Sequence, residues 1–170
     1  LRQPGSAFKP FVYLTALESG YTPDSVAYDS PVSVDGWTPK NHSSTYRGAV
    51  TLRDSFAHSI NTVAAKLADD VGRERVISTA RRLGIHSELH DNPSIALGTA
   101  EVTLLELVAA YVPFANGGEG VTPYIIARVR NGDGKLIYEW KGSKLGRVVD
   151  ELYIAEMNDM MNATLVSGTG

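Results

Sequence analysis

The chain of 170 residues carries 16 Lys and Arg against 19 Asp and Glu, a formal net charge of −3, and it has no Cys. A single-domain length with 43% hydrophobic and 21% charged residues excludes an intrinsically disordered chain, and the lack of Cys excludes a disulfide scaffold, thiol chemistry and thiolate metal centres. The mild acidity offers no general attraction for nucleic acid, and no apolar run approaches the ~20 residues that span a bilayer. Cys-free chains occur in reducing and oxidising compartments alike, so composition assigns no compartment. The first residue is Leu1 and no signal sequence opens the chain, which leads us to expect a segment processed or cut from a longer protein.

Phe8, Val12, Leu14 and Leu17 recur at helical spacing and predict a helix over 5–19, opened at Pro4-Gly5 and stopped by Gly20. Pro10 has no N–H to offer the carbonyl of Ser6, which predicts distortion of the first turn. Residues 21–46 are rich in Pro, Ser, Asp, Asn and Gly and predict an irregular surface segment, long enough to expect a functional role, with Trp37, Pro39 and Asn41 tying it down. Thr51 opens a short helix through His58, with Leu52 and Phe56 as an i, i+4 pair. After Ser59-Ile60-Asn61 a second helix runs to about Val71, with Val63, Ala64, Leu67 and Ala68 on one face and Gly72 as its stop. A third covers 73–83, with Val76, Ile77, Ala80 and Leu83 inward and Gly84 at its C-terminal cap. Thr103 and Glu106 have the form of a capping box, opening a helix that ends before Gly117-Gly118. Runs around Ile125 to Val129 and Leu136 to Tyr138 flank Asn131-Gly132-Asp133-Gly134 and predict a β-hairpin. A last helix, from about Asp150 to Leu165, aligns Tyr153, Ile154, Met157, Met160 and Met161, and residues 167–170 read as a loop.

Ser6 and Lys9 stand three apart at a helix start, so their side chains share a face within mutual reach. A serine nucleophile needs a nearby base, and a lysine serves only where a neutral amine is accessible below its usual pKa near 10.4. The positive end of the helix disfavours an ammonium and favours the anion that develops on an attacked acyl group. By itself such a pair is most often a polar residue beside a solvated lysine. Likewise Ser59 and Asn61 could form an ordinary turn or helix cap.

The flanking residues supply more. Arg2-Gln3-Pro4-Gly5-Ser6-Ala7-Phe8-Lys9-Pro10-Phe11 resembles the active-serine segment of class A penicillin-binding proteins, the bifunctional peptidoglycan synthases. In order come Trp37-x-Pro39-Lys40-Asn41, Tyr46-Arg47-Gly48-x-Val50-Thr51-Leu52-Arg53, Ser59-Ile60-Asn61, Ala96-Leu97-Gly98-Thr99-x-Glu101-Val102-Thr103, and Ala109-Ala110-Tyr111-x-x-Phe114-Ala115-Asn116-Gly117-Gly118.

The resemblance implies an α+β class: the mainly helical part of a penicillin-binding protein and β-lactamase-like transpeptidase fold, carrying a β-hairpin and with the central sheet largely missing. It implies that Ser6 is the acylated nucleophile and Lys9 its proton acceptor, that Ser59 relays a proton to the leaving group, and that Asn61 binds substrate amide. Residues i and i+2 do not share a helical face, so Ser59 and Asn61 are expected at a bend. Residues 1–170 are then part of a transpeptidase domain that has its Ser-x-x-Lys and Ser-x-Asn elements but lacks the Lys-Thr-Gly strand, with Gly168-Thr169-Gly170 as the loop preceding that strand. One oxyanion donor is expected from Ser6 and the other from the missing strand, so the 170 residues alone are expected to be inactive; loss of one donor costs about 100- to 1,000-fold.

Implied partners are peptidoglycan stem peptides and β-lactam antibiotics, with no cofactor, no metal and no nucleic acid. The implied location is the bacterial inner membrane, with this domain on the periplasmic or extracytoplasmic side and any membrane contact made by other parts of the protein. The alternatives are a β-lactamase or β-lactam sensor of the same superfamily, against which Arg2 to Gly5 and the 37–41 segment argue, or a non-catalytic interaction module. His86 and His90 have zinc-compatible i, i+4 spacing, but Gly84 and Asn92-Pro93 predict a loop there. Met157, Met160 and Met161 stand at helical spacing and read as core residues; the alternative is that they face the missing sheet, in which case self-association through that exposed face is expected.

Overall fold

The computed structural model describes residues 1–43, 45–143 and 145–169. At its centre lies α1 (Lys9–Glu18), reached through a 3-10 turn over Gly5–Phe8, so the distortion expected ahead of Pro10 is present. Every residue of α1 from Lys9 to Leu17 is buried. The apolar spacing in the sequence describes only one face of this helix. The others are filled by small or satisfied side chains: the Tyr13 hydroxyl meets that of Ser55 at 2.7 Å, and the Thr15 hydroxyl lies 2.7 Å from the Phe11 carbonyl and 2.9 Å from the Thr79 hydroxyl. Buried polar groups are tolerated when so paired.

Around α1 pack α2 (Leu52–Ala57), α3 (Asn61–Val71), α4 (Arg73–Leu83) and α6 (Glu151–Ser167), with α5 (Leu104–Ala115) against α4 and α6. Their ends follow the expected chemistry. Gly84 closes α4 in the left-handed conformation at φ 118°, and Thr103 and Glu106 form a reciprocal capping box on α5. The Glu106 carboxylate also accepts from the backbone N–H groups of His86 and Ser87 at 3.0 and 2.9 Å, tying α5 to the non-helical stretch after α4. Burial alone would raise the Glu106 carboxyl, but the hydrogen bonds from Ser87, Thr103 and His86 outweigh it and hold it at about 2.

Residues 21–46 depart from the irregular segment expected there. β1 (Val26–Asp29) lies within them and pairs antiparallel with β2 (Gly48–Thr51), Val26 opposite Thr51 and Asp29 opposite Gly48. The partner strand lies beyond a long excursion instead of a tight turn, and Val26 and Tyr28 stay exposed, so neither turn residues nor alternation marked the pair. The second hairpin is present but shorter than expected: β3 (Arg128–Arg130) pairs with β4 (Leu136–Glu139) through a register shift at Val129 and Arg130. Ile125 and Ile126 fall outside the strand, and Ile125 is 97% exposed. Their alternation has no core to face.

On α6 the methionines belong to the core, and the alternative of a face left open by a missing sheet does not hold. Met157 and Met160 are fully buried and Met161 partly so, while the exposed apolar residues are Leu152, Leu165 and Val166. α6 closes over α1 and α2 with its methionine side, so the methionines pack on helices and do not face an absent sheet. After α6 the chain is held: the Thr169 N–H donates to the Ala57 carbonyl at 3.0 Å. Gly170, the last residue of the expected loop, lies outside the described residues.

Candidate active site

Ser6 sits on the 3-10 turn, exposed, with three neighbours holding the turn from below. Gly5 takes φ 58° and donates its N–H to the Gly98 carbonyl at 3.2 Å. The Tyr111 hydroxyl on α5 donates to the Ala7 carbonyl at 2.7 Å, and burial pushes that phenol up to about 12. Arg2 and Val102 exchange backbone hydrogen bonds of 3.0 and 2.9 Å just upstream. The nucleophile candidate therefore stands on a braced turn, not on a fraying helix end.

One turn on, Lys9 points into the protein and is 2% exposed. Its Nζ donates to the Ser59 carbonyl at 2.7 Å, the Ser59 Oγ at 2.9 Å and the Asn61 Oδ1 at 2.7 Å. All three partners are uncharged, so they do not repay the loss of water around an ammonium, and burial lowers the Lys9 pKa to about 8. This leaves about a tenth of the amine neutral at pH 7, against well under a thousandth for an ordinary lysine, and a neutral amine is what lets a lysine act as a base.

Ser59 occupies the bend between α2 and α3 with φ 53°, an uncommon conformation for a residue with a side chain. That bend, expected from the i, i+2 spacing, turns both the carbonyl and the hydroxyl of Ser59 toward Lys9. The Ser59 Oγ is also 3.0 Å from the Ser6 Oγ. Sequence spacing suggested that Lys9 and Ser6 meet directly; among the described residues their hydrogen-bond connection runs through the Ser59 hydroxyl instead.

Asn61 opens α3. Its Nδ2 donates to the Lys40 carbonyl at 2.8 Å, which leaves its Oδ1 for Lys9. Ser6, Lys9 and Ser59 line one cleft of about 350 Å³, whose walls include Tyr111, Met161 and Thr164, and Asn61 joins them from behind through its hydrogen bond with Lys9. Sequence reasoning missed Gly98 and Tyr111 at this site, and also Asp29, whose buried carboxylate accepts from Asn41 Nδ2 at 2.7 Å behind Asn61. Gly98 and Tyr111 stand in segments noted only for their resemblance, and Asp29 carried no signal; apposition in the fold is what connects them.

Chemically, the cleft presents an exposed hydroxyl joined through a second hydroxyl to a buried amine, an arrangement suited to acyl transfer through a serine ester. Residues 2–170 match the family model described as the penicillin binding protein transpeptidase domain. Penicillin-binding protein 1A of Pseudomonas aeruginosa is 43% identical over 145 residues, covering 81% of this chain and 18% of that protein. The protein of the same name from Aquifex aeolicus is 39% identical over 175 residues, covering 99% of this chain and 24% of that protein. The fold matches the crystal structure of penicillin-binding protein 1A from Haemophilus influenzae with a TM-score of 0.90 at 29% identity, over 100% of this chain and 31% of that one. The chain spans about a fifth to a quarter of the length of the two curated relatives.

Proposed function

Because the chain belongs to the penicillin-binding protein transpeptidase domain family, we propose that the protein carrying it cross-links peptidoglycan as a serine D,D-transpeptidase and is acylated by β-lactams at Ser6. The observation that carries this reading is the connected set Ser6 Oγ, Ser59 Oγ and Lys9 Nζ, at 3.0 and 2.9 Å, ending in an amine whose pKa is lowered to about 8.

With Lys9 neutral, the heavy atoms can stay where they are while the Ser59 hydroxyl, which donates to Ser6 in the structure, turns its hydrogen to Lys9. Two N–H bonds serve the Ser59 carbonyl and Asn61 Oδ1, and the lone pair accepts the Ser59 hydroxyl proton. The Ser59 Oγ in turn accepts from Ser6. When the Ser6 Oγ attacks the carbonyl carbon of the penultimate D-Ala, its proton passes to Ser59, and the Ser59 proton passes to Lys9. Return of a proton by the same route to the departing amine breaks the C–N bond, releases D-Ala and leaves an ester on Ser6. An amine of a neighbouring stem peptide attacks that ester, and Ser6 recovers its proton as the new amide forms. With a β-lactam the departing amine stays tethered to the acyl group, so the ester persists. The Ser6 N–H supplies one oxyanion donor. We assign the second Nδ2 proton of Asn61, the first being given to the Lys40 carbonyl, to a substrate carbonyl.

The substrate chemistry places this domain on the outer side of a bacterial cytoplasmic membrane. Among the described residues no helix is long and apolar enough to cross a membrane, so we assign attachment to other parts of the protein. Since the 170 residues contain no Lys-Thr-Gly, we expect the isolated chain not to turn over.

The test uses the complete protein and a fluorescent penicillin. A stoichiometric adduct is expected on the proteolytic peptide containing Ser6. Below about pH 8 the acylation rate should fall about tenfold per pH unit, because protonation of Lys9 removes the acceptor, and above it the rate should level off. An adduct on another residue, or a rate flat from about pH 6 to 9, overturns the assignment. Rapid hydrolysis of a chromogenic cephalosporin by the complete protein would favour a β-lactamase instead.

A further inference from the structure

The N-terminus of α3 has no cap from its own chain neighbours: Ile60 stands at the cap position and no local side chain accepts the free N–H groups. The acceptor comes from Asn41, about 20 residues upstream in the segment between β1 and β2. Asn41 Oδ1 accepts from the N–H groups of Asn61 at 3.0 Å and Thr62 at 3.2 Å. The preceding carbonyl, of Lys40, takes the Asn61 side chain at 2.8 Å. Lys40 and Asn41 thus grip Asn61 by backbone and side chain together, and this grip directs Asn61 Oδ1 to Lys9.

What orients Asn41 is a buried carboxylate. Asp29, at the end of β1, is 1% exposed. Its Oδ1 accepts from Asn41 Nδ2 at 2.7 Å and from the Thr62 hydroxyl at 2.6 Å, and its Oδ2 accepts from the Arg47 N–H at 2.8 Å. A carboxylate can only accept, so the Asn41 amide must present its nitrogen to Asp29 and its oxygen to α3. The reverse orientation would set an amide nitrogen against two backbone donors and leave a buried charge facing an oxygen.

We propose that Asp29 and Asn41 are positioning residues for acyl transfer: the buried Asp29 carboxylate fixes the Asn41 amide, which with the Lys40 carbonyl holds Asn61, and through it Lys9, in the reactive arrangement. Neither side chain touches Ser6. The proposal rests on the acyl-transfer reading, in which Lys9 and Asn61 take part. Misplacing reactive groups by about 1 Å can cost about 100-fold, which sets the scale of the effect.

The experiment measures acylation of the complete protein by a fluorescent penicillin over a range of concentrations, separating the first-order acylation constant from the half-saturating concentration. Asn41→Asp, nearly isosteric, turns one carboxylate on another and should lower the acylation constant by about 10- to 100-fold, with the half-saturating concentration changed less than about twofold. Asp29→Asn combined with Asn41→Asp restores a donor facing an acceptor at the 29–41 contact and should recover about tenfold over the single variant. Ser6→Ala is run alongside. If Ser6→Ala still forms the adduct, the acyl-transfer reading falls and this inference with it. If Ser6→Ala is inert while Asn41→Asp acylates at the parental rate, this inference alone falls. It falls too if the double variant shows no recovery, or if both kinetic constants degrade together with a collapse in thermal stability, since those results describe general damage to the fold.

Discussion

Replacing Lys9 with Met is expected to slow acylation by a penicillin about 1,000-fold, within the range of 100 to 10,000 that a positioned general base supplies. Methionine keeps the apolar stem of the side chain out to Cε, one atom short of Nζ, so the packing around α1 is largely preserved, but it cannot accept a proton. The substitution also strips donors from the Ser59 carbonyl, the Ser59 Oγ and Asn61 Oδ1. Lys9→Arg separates these two losses. Arginine supplies donors but stays protonated at any working pH, so it should be as slow as methionine if Lys9 is a base, and much faster if Lys9 acts only by holding Ser59 and Asn61. Rapid-quench labelling, with circular dichroism to confirm folding, distinguishes the outcomes. A folded methionine variant that acylates at the parental rate removes Lys9 from the mechanism.

Gly98→Ala should do comparable harm from outside the cleft. A Cβ at this position would lie 2.2 Å from the Gly5 carbonyl oxygen, 2.7 Å from its nitrogen and 2.9 Å from its carbonyl carbon, all backbone atoms that cannot swing away. The residue also sits at φ 67°, in the left-handed region. Overpacking costs about 1 to 3 kcal/mol, and the left-handed conformation adds about 1 to 2 for a residue with a side chain. We therefore expect a loss of about 3 kcal/mol in the unfolding of this domain, read by chemical denaturation. The alternative to unfolding is that the 3-10 turn moves, and Ser6 moves with it, so acylation should fall by at least about tenfold in the molecules that remain folded. Alanine tolerated within about 0.5 kcal/mol at the parental acylation rate would show that the two backbones are not in the close contact described.

How much of this was legible beforehand depends on the range of the interaction. Gly84, Gly72 and the Thr103–Glu106 pair act on the helices they terminate, and the sequence places those ends within a residue or so. The spacing of Ser6 and Lys9 is equally local, and the flanking Pro4-Gly5 and Pro10 supply the resemblance that makes it meaningful. Ser59 as a bridge was less visible, because the i, i+3 rule by itself brings Lys9 straight to Ser6; only the fold shows a hydroxyl interposed. Burial of α1 on all sides was not legible, since Thr15 and Lys9 look like surface residues until Thr79, Ser59 and Asn61 arrive to satisfy them. Asp29 and Gly98 were silent for the same reason: each acquires its role from a partner remote in sequence, Asn41 in one case and Gly5 in the other. The methionines of α6 were legible as core from their helical spacing but not as to what covers them, because a helix that closes over α1 needs no sheet to do so.

The left-handed backbone at Ser59 sets protein engineering against chemistry at this position. A residue with a side chain at φ 53° carries strain of about 1 kcal/mol, which glycine would relieve at once. That relief offsets part of what glycine loses in unfolded-chain entropy and in the hydroxyl contacts to Lys9 and Ser6, so a screen that rewards only heat resistance should penalise Ser59→Gly far less than acylation does, and that variant would have lost the hydroxyl standing between Ser6 and Lys9. Consensus or thermostability libraries made from this chain need residue 59 held constant, or scored by penicillin labelling as well as by melting.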